Sequence, residues 1–219
     1  MRKIRAFILD LDGVVTDTAE YHFRAWKQLA KEEYVPFTRE DNEQLRGVSR
    51  RRSLELLLGE QIERYNEEQL VSLMDRKNDY YRAMLTQLTD QDFLPGARQL
   101  LDDLRKRGMK IAIGSASKNT KTVLTQLGIQ EIFDGISDGH SIVRAKPNPD
   151  VFIYAAGMMA VPVAHCVVVE DAESGVEAAL AAGMLAVGVG PQSRVGKAQF
   201  CYPSTSEINL DEIIMGSLD

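Results

Sequence analysis

The chain has 219 residues, which is enough for one compact domain and a smaller second one. With 44% hydrophobic and 26% charged residues, its composition is that of an ordinary globular protein. The formal net charge of −6 argues against a general nucleic-acid-binding protein, because such a protein needs a basic surface. The two cysteines, Cys166 and Cys201, cannot form a disulfide framework, which fits a cytoplasmic protein.

The first apolar run follows a basic N-terminus and imitates a signal peptide only briefly. It is interrupted by Asp10 and Asp12 after four residues, far short of a secretory or membrane-spanning segment. We therefore expect no targeting segment and no membrane partner. We expect a monomer that works on small molecules.

Short apolar runs alternate with helical stretches over most of the chain. The predicted strands are 6–9, 111–114, 135–137, 166–169 and 185–189, and the predicted helices between them are 97–107, 119–127, 149–159 and 174–182. Several of these helices end in a glycine, at Gly108, Gly128 and Gly183. This alternation predicts an α/β fold with a Rossmann-like, doubly wound parallel sheet, covered by helices on both faces.

Residues 18–92 break that alternation. Their pattern is helical, most strongly over 21–33 and 66–87, and no convincing strand lies between Asp17 and Leu94. We therefore predict a helical cap domain, residues 18–92, inserted into a core domain formed by 1–17 and 93–219.

Polar side chains stand where the predicted strands of the core end or in the loops that follow. They are Asp10, Asp12, Ser115, Lys146, Glu170 and Asp171. Ligands of open α/β sheets bind beyond the carboxyl ends of the strands, so we expect these side chains to converge on one rim. Crowded carboxylates repel one another unless a hard cation lies among them, and oxygen ligands suit Mg²⁺.

The same residues suit phosphoryl transfer. The cation and Lys146 would offset the charge of a phosphate, and Ser115 with N–H groups at a helix start would hold its oxygens. No cysteine or histidine competes as a nucleophile, so a carboxylate is the candidate, giving an aspartyl-phosphate. Asp12 is the natural acid/base, because Gly13 lets the chain turn after it.

Each motif alone has a simpler interpretation. Asp-x-Asp-Gly is common in turns, and Glu170-Asp171 could begin a loop and cap a helix. A calcium loop needs glycine at its sixth position and glutamate at its twelfth, where this chain has Val15 and Tyr21. Residues 190–198 approach a P-loop, but they contain one residue too many and have Ala198 in place of the metal-binding hydroxyl.

Four motifs together resemble the haloacid dehalogenase superfamily. They are Asp10-Leu-Asp-Gly-Val-Val-Thr-Asp17, Gly114-Ser-Ala-Ser117, Lys146-Pro-Asn-Pro149 and Glu170-Asp171. Within that superfamily, residues 16–27, 42–50, 76–79 and 115–119 are similar to the β-phosphoglucomutase family. The resemblance implies interconversion of β-glucose 1-phosphate and glucose 6-phosphate, with Mg²⁺ and with β-glucose 1,6-bisphosphate as the intermediate.

The resemblance also implies roles for individual residues. Asp10 would be the phosphorylated nucleophile and Asp12 the general acid/base. The Asp10 and Asp171 carboxylates and the Asp12 carbonyl would hold Mg²⁺, with Glu170 close by or acting through water. The transferring phosphate would bind Ser115, Ala116 and Lys146.

A further set of residues would bind the sugar and the second phosphate. It comprises His22, Arg46, Gly47, Val48, Ser49, Arg50, Ser53, Lys77, Asn78, Ser117, Lys118 and Asn119. Thr18, His22 and Lys77 would couple cap closure to Asp12. The chain departs from the family at Arg46, where lysine is usual, and at Ala172, where serine is common.

Two other functions remain open at this point. The first is a sugar-phosphate phosphatase on the same fold, and the second is a non-catalytic module that binds phosphate or metal. The second would be expected to lack the nucleophile or the metal-binding acids, whereas this chain keeps Asp10, Asp12, Glu170 and Asp171.

Overall fold

A computed structural model describes residues 3–45 and 48–216. Its strands and helices, in chain order, are β1 (Ala6–Leu9), α1 (Ala19–Glu32), α2 (Arg39–Glu43), α3 (Arg50–Leu58), α4 (Glu67–Leu85), α5 (Ala97–Lys106), β2 (Lys110–Gly114), α6 (Thr120–Gln126), β3 (Gly135–Ser137), α7 (Asp150–Met158), β4 (Cys166–Glu170), α8 (Glu173–Ala181), β5 (Leu185–Val189), α9 (Gln192–Val195), β6 (Phe200–Tyr202) and α10 (Leu210–Gly216). Within the described ranges, no helix combines the length and the apolar character needed to cross a membrane.

The strands form one parallel, six-stranded sheet in the order β3-β2-β1-β4-β5-β6. This confirms the predicted fold class and each of the predicted strands. The sequence analysis missed β6, which has three residues, a single neighbouring strand and no fully buried side chain. A short edge strand of this kind carries too few apolar positions to be recognised from its pattern.

Successive side chains of each strand point to opposite faces of the sheet, and both faces are covered. Phe7 and Leu9 of β1 belong to a hydrophobic cluster with α5, α6 and α10. Ala6 and Ile8 belong to a second cluster with α7, α8 and α9. Burial on both faces fixes the register of β1, which places the residues that follow Leu9 at the carboxyl edge of the sheet.

The four helices from α1 to α4 have a hydrophobic cluster of their own. Its buried members are Trp26, Leu29, Ala30, Leu45, Leu54, Leu57, Leu58, Leu70 and Leu73. Side-chain caps start three of these helices, at Thr38, Ser49 and Asn66, and the first and last of these are capping boxes. Regular structure in the described part of 18–92 is helical, as the sequence analysis predicted.

Two chain segments join these four helices to the sheet, and they lie side by side. The Thr16 hydroxyl donates to the Asp92 carbonyl at 2.6 Å, and the Leu94 N–H donates to the Val15 carbonyl at 3.1 Å. Gly13, with a φ of 87°, provides the turn that brings the chain from β1 to this point. Asp12 therefore stands between the sheet edge and the connection to the helices.

Leu104 of α5 is fully buried against the sheet. Replacing it with alanine leaves a cavity, so Leu104→Ala should lower the free energy of unfolding by about 2–5 kcal/mol, measured by urea denaturation. The matched control is Met215→Ala, because Met215 is 68% exposed, and its change should stay within about 0.5 kcal/mol. Similar losses in both variants would contradict this packing.

Candidate active site

A cavity of about 590 Å³ lies between the carboxyl edge of the sheet and helices α1 to α4. Most of the residues predicted for the site line it. From the sheet side these are Asp10, Asp12, Ser115, Ala116, Ser117, Lys118, Asn119, Lys146 and Asp171, and from the helical side His22, Val48, Ser49, Arg50, Ser53 and Lys77. The structure thus gathers around one space residues that are up to 161 positions apart in the chain, from Asp10 to Asp171.

The other predicted site residues lie around this space. Glu170 is completely buried beside the strand-end carboxylates, and Thr18 is buried next to Asp12. Asn78 contacts two residues of the cavity wall, Arg50 and Asn119. Arg46 and Gly47 lie outside the described residues.

A buried lysine joins two of the acids. Lys146 Nζ donates to Asp10 Oδ1 at 2.6 Å and to Glu170 Oε1 at 2.5 Å. One carboxylate oxygen from each of Asp10, Glu170 and Asp171 lies within 4.8 Å of the others. Three hard oxygen donors at this spacing fit a divalent cation such as Mg²⁺.

Two glycines make room for these carboxylates. A Cβ on Gly175 of α8 would collide with the carboxylate of Glu170, and a Cβ on Gly13 would collide with that of Asp171. The Ala172 N–H donates to Glu170 Oε2 at 2.7 Å, so Glu170 is held by the backbone as well as by Lys146. These close approaches fix both acids in place.

Burial and crowding shift the protonation of the first two acids. Burial raises the pKa of Asp10 to about 6, with Glu170 adding to the increase and Lys146 opposing it. Burial raises the pKa of Asp12 to about 8, and repulsion from Asp10 and Asp171 adds to it. Asp12 therefore keeps a proton at neutral pH.

Asp12 is linked to the helical side of the cavity through hydroxyl groups. The Thr18 hydroxyl donates to Asp12 Oδ1, and the Tyr81 hydroxyl donates to Thr18 Oγ1 at 3.2 Å. The ring of His22 stacks on that of Tyr81, with the ring centroids 3.9 Å apart. Lys77 Nζ lies 2.7 Å from His22 Nδ1, and burial lowers the pKa of both groups.

A second polar cluster lies across the cavity. Arg50 donates from a guanidinium nitrogen to Asn78 Oδ1 at 2.8 Å, and Asn119 donates from its amide nitrogen to the same oxygen, also at 2.8 Å. Arg50 belongs to α3, whereas Asn119 precedes α6 at the sheet edge. Two donors that converge on one oxygen are suited to an anionic oxygen as well.

Sequence reasoning missed several residues of this site. Tyr81 could have been found, because it lies four residues after Lys77 and so on the same face of α4. Other cavity residues were assigned no role, although four of them lie in the segments 16–27 and 42–50 that resemble the family, and the rest read as ordinary helix or loop positions. These are Ala19, Trp26, Asn42, Leu45, Arg51, Val71, Met74, Asp75, Gly139, Ile142, Val143 and Ala145.

Comparisons of the sequence and of the structure with known proteins agree on one family. Residues 4–183 match the family of haloacid dehalogenase-like hydrolases. The β-phosphoglucomutase of Bacillus subtilis is 42% identical over 95% of this chain and 93% of its own. The crystal structure of β-phosphoglucomutase from Clostridium difficile superposes with a TM-score of 0.94 at 38% identity, over 98% and 97% of the two chains. A phosphorylated carbohydrates phosphatase of Thermotoga maritima is 27% identical over 96% of this chain and 97% of its own.

The raised pKa of Asp12 predicts how stability depends on pH. The pKa of an aspartate is near 3.9 in the unfolded chain, whereas that of Asp12 is raised to about 8 in the fold. The free energy of unfolding therefore falls as the pH rises between these two values. Asp12→Asn removes this cost. In a chelator, its stability gain over the original chain should grow from pH 4 to pH 8 and exceed about 1 kcal/mol at pH 8.

Urea unfolding of both chains at pH 4, 6 and 8 provides the measurement. Asp102→Asn is the control, because Asp102 is an exposed residue of α5, and its effect should not change with pH in this way. A gain for Asp12→Asn that stays constant from pH 4 to pH 8 would show that folding does not raise the pKa of Asp12.

Proposed function

The chain belongs to the haloacid dehalogenase-like hydrolase family, and we propose that within this family it is a phosphomutase that interconverts β-glucose 1-phosphate and glucose 6-phosphate. One observation supports the choice of a mutase: the cavity is lined by two separate polar clusters, one around Lys146 and one around Arg50 and Asn119, and each could bind a phosphate. A phosphatase needs one phosphate site and a water molecule. A mutase needs two phosphate sites, because its bisphosphate intermediate must turn around and present its other end.

The relatives support this choice. The similar proteins of B. subtilis and C. difficile are named β-phosphoglucomutases and match nearly the whole chain. The T. maritima phosphatase is a more distant relative, which makes a sugar-phosphate phosphatase the second candidate. We therefore propose β-glucose 1,6-bisphosphate as the intermediate and small sugar phosphates as the substrates.

Asp10 acts as the nucleophile. One of its carboxylate oxygens attacks a phosphorus atom of the bisphosphate, the phosphorus–oxygen bond to the sugar breaks, and Asp12 gives its proton to the departing sugar oxygen. In the second half, a hydroxyl of the monophosphate attacks the aspartyl-phosphate, Asp12 takes the hydroxyl proton, and the bond to Asp10 breaks. The raised pKa of Asp12 suits both steps near neutral pH.

The residues around Asp10 hold the transferring group. Lys146 already contacts Asp10, so its ammonium would offset the charge of a phosphoryl group there. The Ser115 hydroxyl and the Ala116 N–H would bind the phosphoryl oxygens. Asp10, Glu170, Asp171 and the Asp12 carbonyl would hold Mg²⁺, which when bound neutralises charge on the phosphate in the transition state.

The helical segment supplies the second phosphate site and excludes water. We propose that residues 18–92 form a cap domain on a core of 1–17 and 93–219, and that Arg50, Ser117, Lys118 and Asn119 bind the non-reacting phosphate. A phosphate would take the place of Asn78 Oδ1 between Arg50 and Asn119. Closing the cap would keep water from the aspartyl-phosphate.

The free thiols of Cys166 and Cys201 support a reducing, cytoplasmic location. We propose that the protein acts there as a monomer, because the cavity is completed by a single chain.

The decisive assay gives the protein β-glucose 1-phosphate, Mg²⁺ and a trace of the bisphosphate, and measures glucose 6-phosphate against free phosphate. We expect glucose 6-phosphate to predominate.

Asp10→Asn should lower turnover by more than about 10³-fold, because it removes the nucleophile. Asp103→Asn is the control, since Asp103 lies on the exposed side of α5. Predominant free phosphate would identify a phosphatase, and full activity in Asp10→Asn would rule out the covalent mechanism.

Replacing His22 should separate chemistry at Asp10 from the placement of Asp12. His22→Ala removes the ring between Lys77 and Tyr81, so we expect mutase turnover to fall by about 10²-fold. Labelling of Asp10 by acetyl phosphate should change far less, because that reaction needs no proton from Asp12. The control is His165→Ala, since the His165 ring bonds to the carbonyl of Lys3 next to the start of β4, at the sheet edge opposite the cavity. Equal losses in turnover and labelling would contradict this role of His22.

A further inference from the structure

Arg194 of α9 reaches the strand-end acids from a segment that the proposed mechanism does not use. It lies in residues 190–198, which the sequence analysis noted for their likeness to a P-loop. The lysine of that likeness, Lys197, forms ion pairs at the surface with Glu173 and Glu177, at 2.8 and 2.6 Å, so it does not act as a P-loop lysine. Arg194 points instead toward Asp171.

Arg194 contacts Asp171 at two places. Its Nε donates to the carbonyl oxygen of Asp171 at 2.7 Å, and its second terminal nitrogen lies 3.8 Å from Oδ2 of the same residue. The short bond holds the backbone of Asp171, and the longer approach faces its carboxylate. Arg194 thereby restrains both the position and the direction of this side chain.

The guanidinium group is itself held in place. Gly190 has a φ of 122°, and a Cβ there would lie 2.7 Å from a terminal nitrogen of Arg194, so this nitrogen packs against the glycine. The remaining terminal nitrogen approaches Glu43 Oε2 of α2 at 3.5 Å. The side chain is 28% exposed, which is low for an arginine on a one-turn helix.

A positive charge at this place has a cost for cation binding. The guanidinium repels any cation that Asp171 binds, so charge alone would weaken the site. Geometry works in the opposite direction, because residues that orient a metal ligand typically account for 10–100-fold in affinity. A planar fork can hold a carbonyl and a carboxylate at once, whereas the point charge of a lysine cannot.

We propose that Arg194 is a positioning residue that fixes Asp171 for binding of a divalent cation. This inference rests on the proposed function, since that function makes Asp171 a ligand of Mg²⁺. Arg194 is not among the residues that line the cavity. It acts through the backbone and carboxylate of Asp171.

The test measures Mn²⁺ binding to the chelator-treated full chain by electron paramagnetic resonance, without substrate. Arg194→Gln and Arg194→Lys should each raise the dissociation constant by about 10-fold or more, because both remove the fork. Arg107→Gln is the matched control, since Arg107 pairs with Asp211 at 2.6 Å far from the cavity, and it should bind like the original chain. Glu43→Gln keeps both contacts to Asp171 and should stay within about twofold.

The outcomes separate this inference from the proposed function. Tighter binding in Arg194→Gln with unchanged binding in Arg194→Lys would mean that only charge matters, and it would overturn the inference. An equal loss of Mn²⁺ affinity in Glu43→Gln and Arg194→Gln would also overturn it. The effect would then come from the contact between Arg194 and Glu43 of α2 and not from the contacts with Asp171. Undiminished binding in Asp171→Asn, or none in the original chain, would overturn the metal assignment as well. A melting temperature for Arg194→Lys close to that of the original chain, with weakened Mn²⁺ binding, supports positioning over a general structural role.

Discussion

The structure depends on keeping several acids close together in a largely buried place. Asp10, Glu170 and Asp171 meet at the carboxyl edge of the sheet, where low solvent access strengthens their mutual repulsion. Lys146 offsets part of that repulsion through contacts of 2.6 and 2.5 Å to two of them. A divalent cation and a phosphoryl group would complete the balance. The site is therefore built for ligands of opposite charges that arrive together.

The remaining elements follow from this constraint. Strands buried on both faces hold the acids in register, and glycines at 13 and 175 let backbone pack against carboxylates where any side chain would collide. The guanidinium of Arg194 donates a hydrogen bond to the Asp171 carbonyl. Rigid support of this kind means that little reorganisation is needed when the reacting group arrives.

The helical side of the cavity contacts Asp12, the proposed acid/base. Asp12 lies beside the connection to the helices and is bonded to Thr18, and Thr18 is bonded in turn to Tyr81 of α4. A movement of the helices therefore changes the surroundings of the proposed acid/base, whereas Asp10 stays fixed by Lys146. This arrangement gives a physical reason for separating the phosphorylation of Asp10 from the turnover of sugar phosphates.

The sequence by itself determined the parallel sheet, the helical insertion and the acids at the strand ends, because strand periodicity and the Asp10-x-Asp12 turn are local features. It also determined the glycine ends of helices, as Gly108 with its φ of 68° illustrates. Only the tertiary structure decided which side chains meet across the cavity. The edge strand β6 and the reach of Arg194 to Asp171 depend on contacts between distant segments. Such contacts leave no periodic trace, since each residue involved is locally an ordinary helix or edge position.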